Sequence, residues 1–272
     1  MKKARIVFDN DETLTQLVHW YDLAEIQFFQ LLFSQKYGLG PFLPCWRDID
    51  KVIKKHTADL FKTWGVKRGR CAEGLRRTYA TVCDWVKKTH GFDPRQVNPE
   101  IEEEIKKIGD LMFVHASDVP WKQNARQVLR LLRSQGHELF LLTCYDRQVF
   151  PSRYRSLGLD EFFGADMERV RVTEFGKTPD DFKAVSGWTP ENDSGFIWVT
   201  VGNSKSDILP AVGLSKRWHG FCVGFATTSV YVGEAGGDLS DPFTPPPIDH
   251  PRVKNARNIA ELPDFVDQLC KE

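Results

Sequence analysis

The sequence predicts an α/β protein: a doubly wound parallel sheet interrupted by an inserted helical domain. Three observations carry that reading. An apolar run, Arg5-Ile6-Val7-Phe8, ends abruptly in two carboxylates, Asp9 and Asp11. Residues 16–116 then show strong helical periodicity and little strand signal. From residue 117 onward, apolar strands alternate with amphipathic helices, the pattern of a Rossmann-like sheet with crossover helices. The expected division is a core domain, 1–15 with 117–272, and a helical cap domain, 16–116.

Each element has its own warrant. Residues 4–8 read as a buried strand. Tyr21 to Tyr37 carries a broad apolar stripe (Leu23, Ile26, Phe28, Phe29, Leu31, Leu32 and Phe33) and is broken by Gly38-Leu39-Gly40-Pro41. Asp48 to Trp64, Cys71 to Lys88 and Pro99 to Phe113 read as three more helices. Gly65 and Gly91 punctuate the first two, and acids at Glu100, Glu102, Glu103 and Glu104 suit the positive end of the third. Together they predict a small bundle. In the second half, helices are expected over Asn124–Gln135, Arg147–Leu157, Pro179–Val185, Ser206–Val212 and Ile259–Leu269. Strands are expected over His137–Thr143, Val170–Val172, Phe196–Val201 and Gly220–Phe225. Residues 226–250, rich in Gly, Asp and Pro, read as loop.

Composition narrows the function classes. With 272 residues the chain has room for two domains. Lys plus Arg and Asp plus Glu balance at 37 each, so no global attraction to nucleic acid or anionic membrane is expected. No apolar run reaches membrane-spanning length. The basic start, Met1-Lys2-Lys3-Ala4-Arg5, lacks the apolar segment of a secretion signal, because Asp9 interrupts it, so a cytoplasmic location is expected. Six cysteines, at 45, 71, 83, 144, 222 and 270, form no Cys-x-x-Cys pair and predict reduced thiols rather than zinc ligands. The seven histidines are dispersed and read as structural or surface residues.

Four short pieces carry the chemistry. Asp9-Asn10-Asp11-Glu12-Thr13-Leu14 follows the first strand, at the sheet edge where open α/β sheets bind ligands. Two carboxylates held close have pKa values that split, so one can act as a nucleophile or metal ligand while the other handles protons. An EF-hand loop does not fit, because no glycine stands at its turn position and a strand precedes it. Leu139-Phe140-Leu141-Leu142-Thr143 is an apolar strand ending in a hydroxyl that can hold a phosphate oxygen, with Cys144 directly after it. Lys177, just before Pro179, can project an ammonium back over the strand ends. Val199-Thr200-Val201-Gly202-Asn203-Ser204-Lys205-Ser206-Asp207 is a strand ending in a tight polar turn, where Asn203 and Asp207 offer hard oxygen ligands.

In this order the four pieces resemble the haloacid dehalogenase-like (HAD) hydrolase superfamily. Its Asp-x-Asp-x-Thr/Val-Leu/Val motif is matched by residues 9–14, its strand-end Ser/Thr by Thr143, its Lys by Lys177 and its Gly-Asp-x-x-x-Asp loop by Gly202 to Asp207. The resemblance implies a HAD-like core with a C1-type helical cap that closes over the site. It implies Asp9 as nucleophile and Asp11 as acid and base. Asn10, Thr143, Cys144 and Lys177 would lie around the phosphoryl group, with Thr143 and Lys177 also catalytic. Mg2+ would be held by Asp9, Asp11, Asn203 and Asp207. One position departs: Asn203 stands where the family usually has Asp, which removes one negative charge from the metal site. The implied activity is magnesium-dependent hydrolysis of a small phosphorylated metabolite. A phosphotransferase or mutase, a dehalogenase, and a catalytically impaired phosphometabolite-binding module are the alternatives; retention of Asp11 speaks against the dehalogenase. The substrate and the oligomeric state are not legible.

Overall fold

A computed structural model describes residues 2–16, 18–114, 119–223 and 247–272. The chain divides into two compact units: Met1–Val18 with Ser117–Glu272, and His19–Ala116.

The first unit is built on a six-stranded sheet. Its strands are β1 (Ala4–Phe8), β2 (Glu138–Cys144), β3 (Val170–Thr173), β4 (Ile197–Gly202), β5 (Trp218–Val223) and β6 (Val253–Ala256). All five pairings are parallel, in the order β3-β2-β1-β4-β5-β6. Chain order therefore reverses at β1, between β2 and β4. That is the switch point at which a crevice opens beyond the strand ends.

Parallel strands are buried on both faces, and these read accordingly as near-continuous apolar runs. Successive side chains point to opposite faces. Val7, Phe140, Leu142 and Trp198 meet Phe182 and Ala211, which lie on helices α9 (Pro179–Ser186) and α10 (Lys205–Val212). On the alternate positions, Phe8 packs edge-on against Phe163 of α8 (Asp160–Phe163), and Phe221 against Phe265 of α11 (Leu262–Lys271). Helix α6 (Ala125–Ser134) packs on β2 and α11 on β4. The sheet is thus covered on both sides, as a doubly wound fold requires.

The second unit holds α1 (Val18–Phe33), α2 (Trp46–Trp64), α3 (Arg70–His90), α4 (Pro94–Val97) and α5 (Ile101–Val114). Its core is a single cluster that includes Phe28, Leu32, Ile49, Ile53, Leu75, Tyr79, Val86, Ile101 and Ile105. Leu75, Tyr79, Val82 and Val86 repeat at helical spacing and seat α3 between α2 and α5.

Several boundaries differ from expectation. Helix α1 begins earlier than Tyr21 and stops at Phe33, because the Ser34 N–H and hydroxyl both bond back to the Leu31 carbonyl and close the last turn. Helix α2 opens at Trp46, two residues ahead of the expected Asp48, and Trp46 is 54% exposed. Helix α7 (Phe150–Ser156) is shorter than Arg147–Leu157. The strand β6 was not expected. It is a short edge strand with polar Lys254 and Asn255, so it lacks the apolar run that marks the others. The expected loop at 226–250 lies outside the described residues except for 247–250, as does Phe225 of the expected fifth strand. The six cysteines are all free. No helix of the described residues is long and apolar enough to cross a membrane.

One helical-unit carboxyl makes the fold pH-sensitive. Burial, with Asp50 and Asp22 nearby, pushes Glu25 up to about 7 against the opposing Lys54. Between the ordinary carboxylate range and about 7, the folded chain holds a proton that the unfolded chain has lost. Stability therefore falls as pH rises through that window. Glu25→Gln should raise the melting temperature relative to wild type at pH 8 and leave it unchanged or lower at pH 4.5, read by circular dichroism.

Candidate active site

The site is assembled by three strand ends and one helix approach. Asp9 follows β1 directly, and its backbone N–H donates to the Val201 carbonyl of β4 at 2.8 Å, fastening this carboxylate's position across the switch point. The chain then turns back on itself. The Asn10 carbonyl accepts the N–H groups of Thr13, Leu14 and Thr15 at 3.3, 2.8 and 3.0 Å. Glu12 takes a left-handed conformation, φ 60°, which costs about 1–2 kcal/mol for a residue with a Cβ. Its carboxylate is held by Lys122 at 2.7 Å, which fixes that conformation.

Lys177 arrives from the β3–α9 connection. Gly176 before it lies at φ 114°, a conformation open mainly to glycine, and lets the chain turn. Thr178 after it caps α9 in a reciprocal box with Asp181, and Pro179 opens the helix. With both neighbours committed, the Lys177 ammonium projects inward, its side chain only 4% exposed. It bonds Asp9 Oδ1 at 2.5 Å and Asp207 Oδ1 at 2.6 Å.

Asp207 is set by the start of α10. Its Oδ2 accepts from the Ser204 N–H at 3.0 Å and the Ser204 hydroxyl at 2.5 Å. Thr200 on β4 donates to its carbonyl at 2.7 Å. Gly202 is required by this approach, since a Cβ there would stand 2.2 Å from the Asp207 Cβ. Asp207 was expected among the metal ligands. Its carboxylate oxygens are engaged here by Lys177 and Ser204, and it stands as a counter-ion of the lysine.

Asn203 is buried. The Thr13 hydroxyl lies 3.1 Å from Asp9 Oδ2, the oxygen that Lys177 does not bond, and 3.4 Å from Asn203 Oδ1. Asp11 is turned aside. Its Oδ1 accepts from the Asn10 amide at 2.6 Å and from Arg153 Nη2 at 3.2 Å. Thr143 is fully buried, and its hydroxyl has no hydrogen-bond partner among the described residues. Leaving such a hydroxyl unpaired costs about 1–3 kcal/mol, so it marks a position for a ligand atom. Cys144 is partly buried at the end of β2. Burial pushes its thiol up despite the Gly176 backbone and the Thr173 side chain, and it lies within electrostatic reach of Lys177 and Asp9.

The electrostatics follow from burial. Burial pushes the Asp9 carboxyl up to about 7; Lys177 opposes, while Asp207 and Asp11 add to the rise. Burial also raises Asp11, against Arg153. Burial alone would lower Lys177, but Asp207 and Asp9 outweigh it and the ammonium is held charged. Three carboxylates therefore share two cations.

Whether magnesium suits these residues turns on the donor atoms. Asp9 Oδ2 and the Asn203 amide oxygen are hard oxygens that share the Thr13 hydroxyl as a neighbour, and a hard cation takes oxygen donors of this kind. Among the described residues no group of three or more His, Cys, Asp or Glu is arranged to hold a metal.

Of the residues expected from sequence, Asp9, Asn10, Asp11, Thr143, Cys144 and Asn203 lie at the ends of β1, β2 and β4, Lys177 lies on the approach to α9, and Asp207 in the first turn of α10. The sequence reading gave no role to Thr13, Arg153 or Tyr145. Arg153 was visible in principle: Phe150, Arg153, Tyr154 and Leu157 repeat at helical spacing, so the arginine sits within a buried apolar stripe.

Two substitutions test the architecture. Gly202→Ala should lower stability by about 1–3 kcal/mol through overpacking against Asp207, read from urea unfolding. Lys177→Met leaves buried acids without their cation and should cost about 3–5 kcal/mol at pH 8. The loss should shrink at pH 5, where Asp9 takes up a proton.

No family model matches the chain, and no curated protein matches it. Solved structures do. A haloacid dehalogenase-like family hydrolase from Xanthomonas campestris superposes with a TM-score of 0.64 at 18% identity, covering 99% of this chain and 93% of the other. The L-2-haloacid dehalogenase from Xanthobacter autotrophicus gives 0.56 at 15% identity, over 97% and 98%. YfnB of Bacillus subtilis, a HAD-type chain solved with magnesium, gives 0.50 at 17% identity, over 98% and 100%. An open parallel sheet in the order 3-2-1-4-5-6, a helical unit inserted after its first strand and these matches over nearly the whole length together make the fold that of the haloacid dehalogenase-like hydrolases.

Proposed function

We propose that this chain hydrolyses small phosphate monoesters through an aspartyl-phosphate on Asp9. The observation that carries the reading is the pairing of a lysine-bound, buried Asp9 with a second acid two residues on, beside a strand-end hydroxyl that lacks a partner.

Asp9 attacks phosphorus, and the bond from phosphorus to the ester oxygen breaks. Asp11, entering as the carboxylic acid, gives its proton to that oxygen and the alcohol leaves. A water then attacks the aspartyl-phosphate and passes its proton to Asp11. Phosphate departs, and Asp9 is restored as carboxylate. Lys177 keeps Asp9 oriented and offsets charge on the transferring group, and the Thr143 hydroxyl donates to a phosphoryl oxygen. Magnesium, held by Asp9 and Asn203 with the main-chain carbonyl of Asp11, would screen the negative charge between nucleophile and phosphoryl group. With an amide at 203, its binding should be weaker than with a second acid there.

The test is phosphate release from an aryl phosphate, with magnesium and with chelator. Activity that needs magnesium and is abolished in Asp9→Asn supports the proposal; undiminished turnover in that variant would overturn it. Asp11→Asn should reduce turnover by roughly 10²- to 10⁴-fold. Sugar phosphates returned as isomers, without free phosphate, would instead assign a mutase.

A further inference from the structure

We propose that Arg153 is a positioning residue for Asp11, and that Tyr145 in turn positions Arg153; the inference rests on the phosphatase reading.

The observations are geometric. The Arg153 side chain is fully buried, whereas that of Asp11 is 22% exposed. The guanidinium cannot touch a substrate, so any effect on chemistry passes through Asp11. Arg153 Nη2 reaches Asp11 Oδ1 at 3.2 Å, and the Asn10 amide donates to the same oxygen at 2.6 Å. Among the described residues both bonds fall on Oδ1. That oxygen is pinned from two sides, and Oδ2 is the one free to give and take the proton.

The arginine is itself held. Its Nη1 donates to the Tyr145 hydroxyl at 2.8 Å, and its guanidinium lies over the Tyr145 ring, 4.7 Å from the centroid. Tyr145 follows β2 and is wholly buried, with its backbone N–H bonded to the Thr173 carbonyl at 2.8 Å. Its ring packs edge-on against Phe150 at 5.7 Å. The acid's orientation is thereby referred to the body of the sheet and to α7 as well as to the short turn that carries it.

Burying a guanidinium is costly unless its bonds compensate. An apolar residue would fill the stripe between Phe150, Tyr154 and Leu157 more cheaply. A fixed planar fork, aimed at one oxygen of the proton carrier, is what the arginine adds. A misoriented acid harms most those reactions whose leaving group cannot depart without a proton.

The experiment compares kcat/KM, which reports the first phosphoryl transfer, for 4-nitrophenyl phosphate and for phenyl phosphate, whose leaving group is much more basic. Wild type, Arg153→Met, Arg153→Lys and Tyr145→Phe are assayed as full-length chains, with circular dichroism to check folding. Arg153→Met should lose about 10-fold on the nitrophenyl ester and about 10²- to 10³-fold on the phenyl ester. Arg153→Lys should recover part of the phenyl-ester loss, and Tyr145→Phe should show the same bias at smaller size. Equal losses on both esters would mean a structural role and overturn the proposal. Should Arg153→Met fail to fold, Tyr145→Phe decides: biased loss supports, uniform loss or none overturns. A wild type inactive on both esters would fail the phosphatase reading and this inference with it, a result distinct from an active enzyme with uniform losses.

Discussion

The site depends on one buried ammonium. Asp9 follows β1 and Asp207 stands in the first turn of α10, and both are enclosed in protein where water cannot shield them from each other. Two such carboxylates can share the space only with a cation between them. Lys177 supplies it, and much of the local sequence serves to deliver that one nitrogen. Gly176 permits the turn, the Thr178–Asp181 box fixes the start of the following helix, and Gly202 lets α10 come close enough for Asp207 to receive the lysine. Asp9 is then bonded on one oxygen by the lysine, while its other oxygen faces Thr13 and Asn203.

The same cluster balances its charge without the side chain at 203. The lysine is balanced by Asp207, whose oxygens are fully engaged, so the residue at 203 is not needed to neutralise it. Changing an acid to an amide at 203 alters what the far side of Asp9 offers a cation without disturbing the lysine bridge. The second acid is held separately: Asp11 bonds Arg153 and Asn10, and neither of those touches the lysine in the bonds described.

Much of the fold was legible because period and burial agree. The strands flanking β1 are buried on both faces and read as unbroken apolar runs, and α3 keeps its apolar residues at helical spacing. Edge strand β6 was invisible for the converse reason: half its residues are polar. In the site, strand-end residues could be read because a run that stops in Asp, Thr or Gly-Asn announces its own polarity. Arg153 could not be read that way. Its role rests on a fully buried side chain, and an arginine on a helix reads by default as a solvated one.

The strand that bears Asp9 is made first and completed last. β1 lies at the centre of the sheet, yet Ala4 pairs with Ile197 and Arg5 with Glu138, partners that follow the whole helical unit in the chain. During synthesis the helical unit, whose core draws on 28–105, can be complete while β1 has neither neighbour. An apolar strand ending in acids must therefore wait, unpaired, as the chain grows. Asp9 meets Lys177 and Asp207 only when closure of the long loop between 8 and 138 brings the sheet together, so the slow, non-local step of folding is also the step that assembles the candidate site.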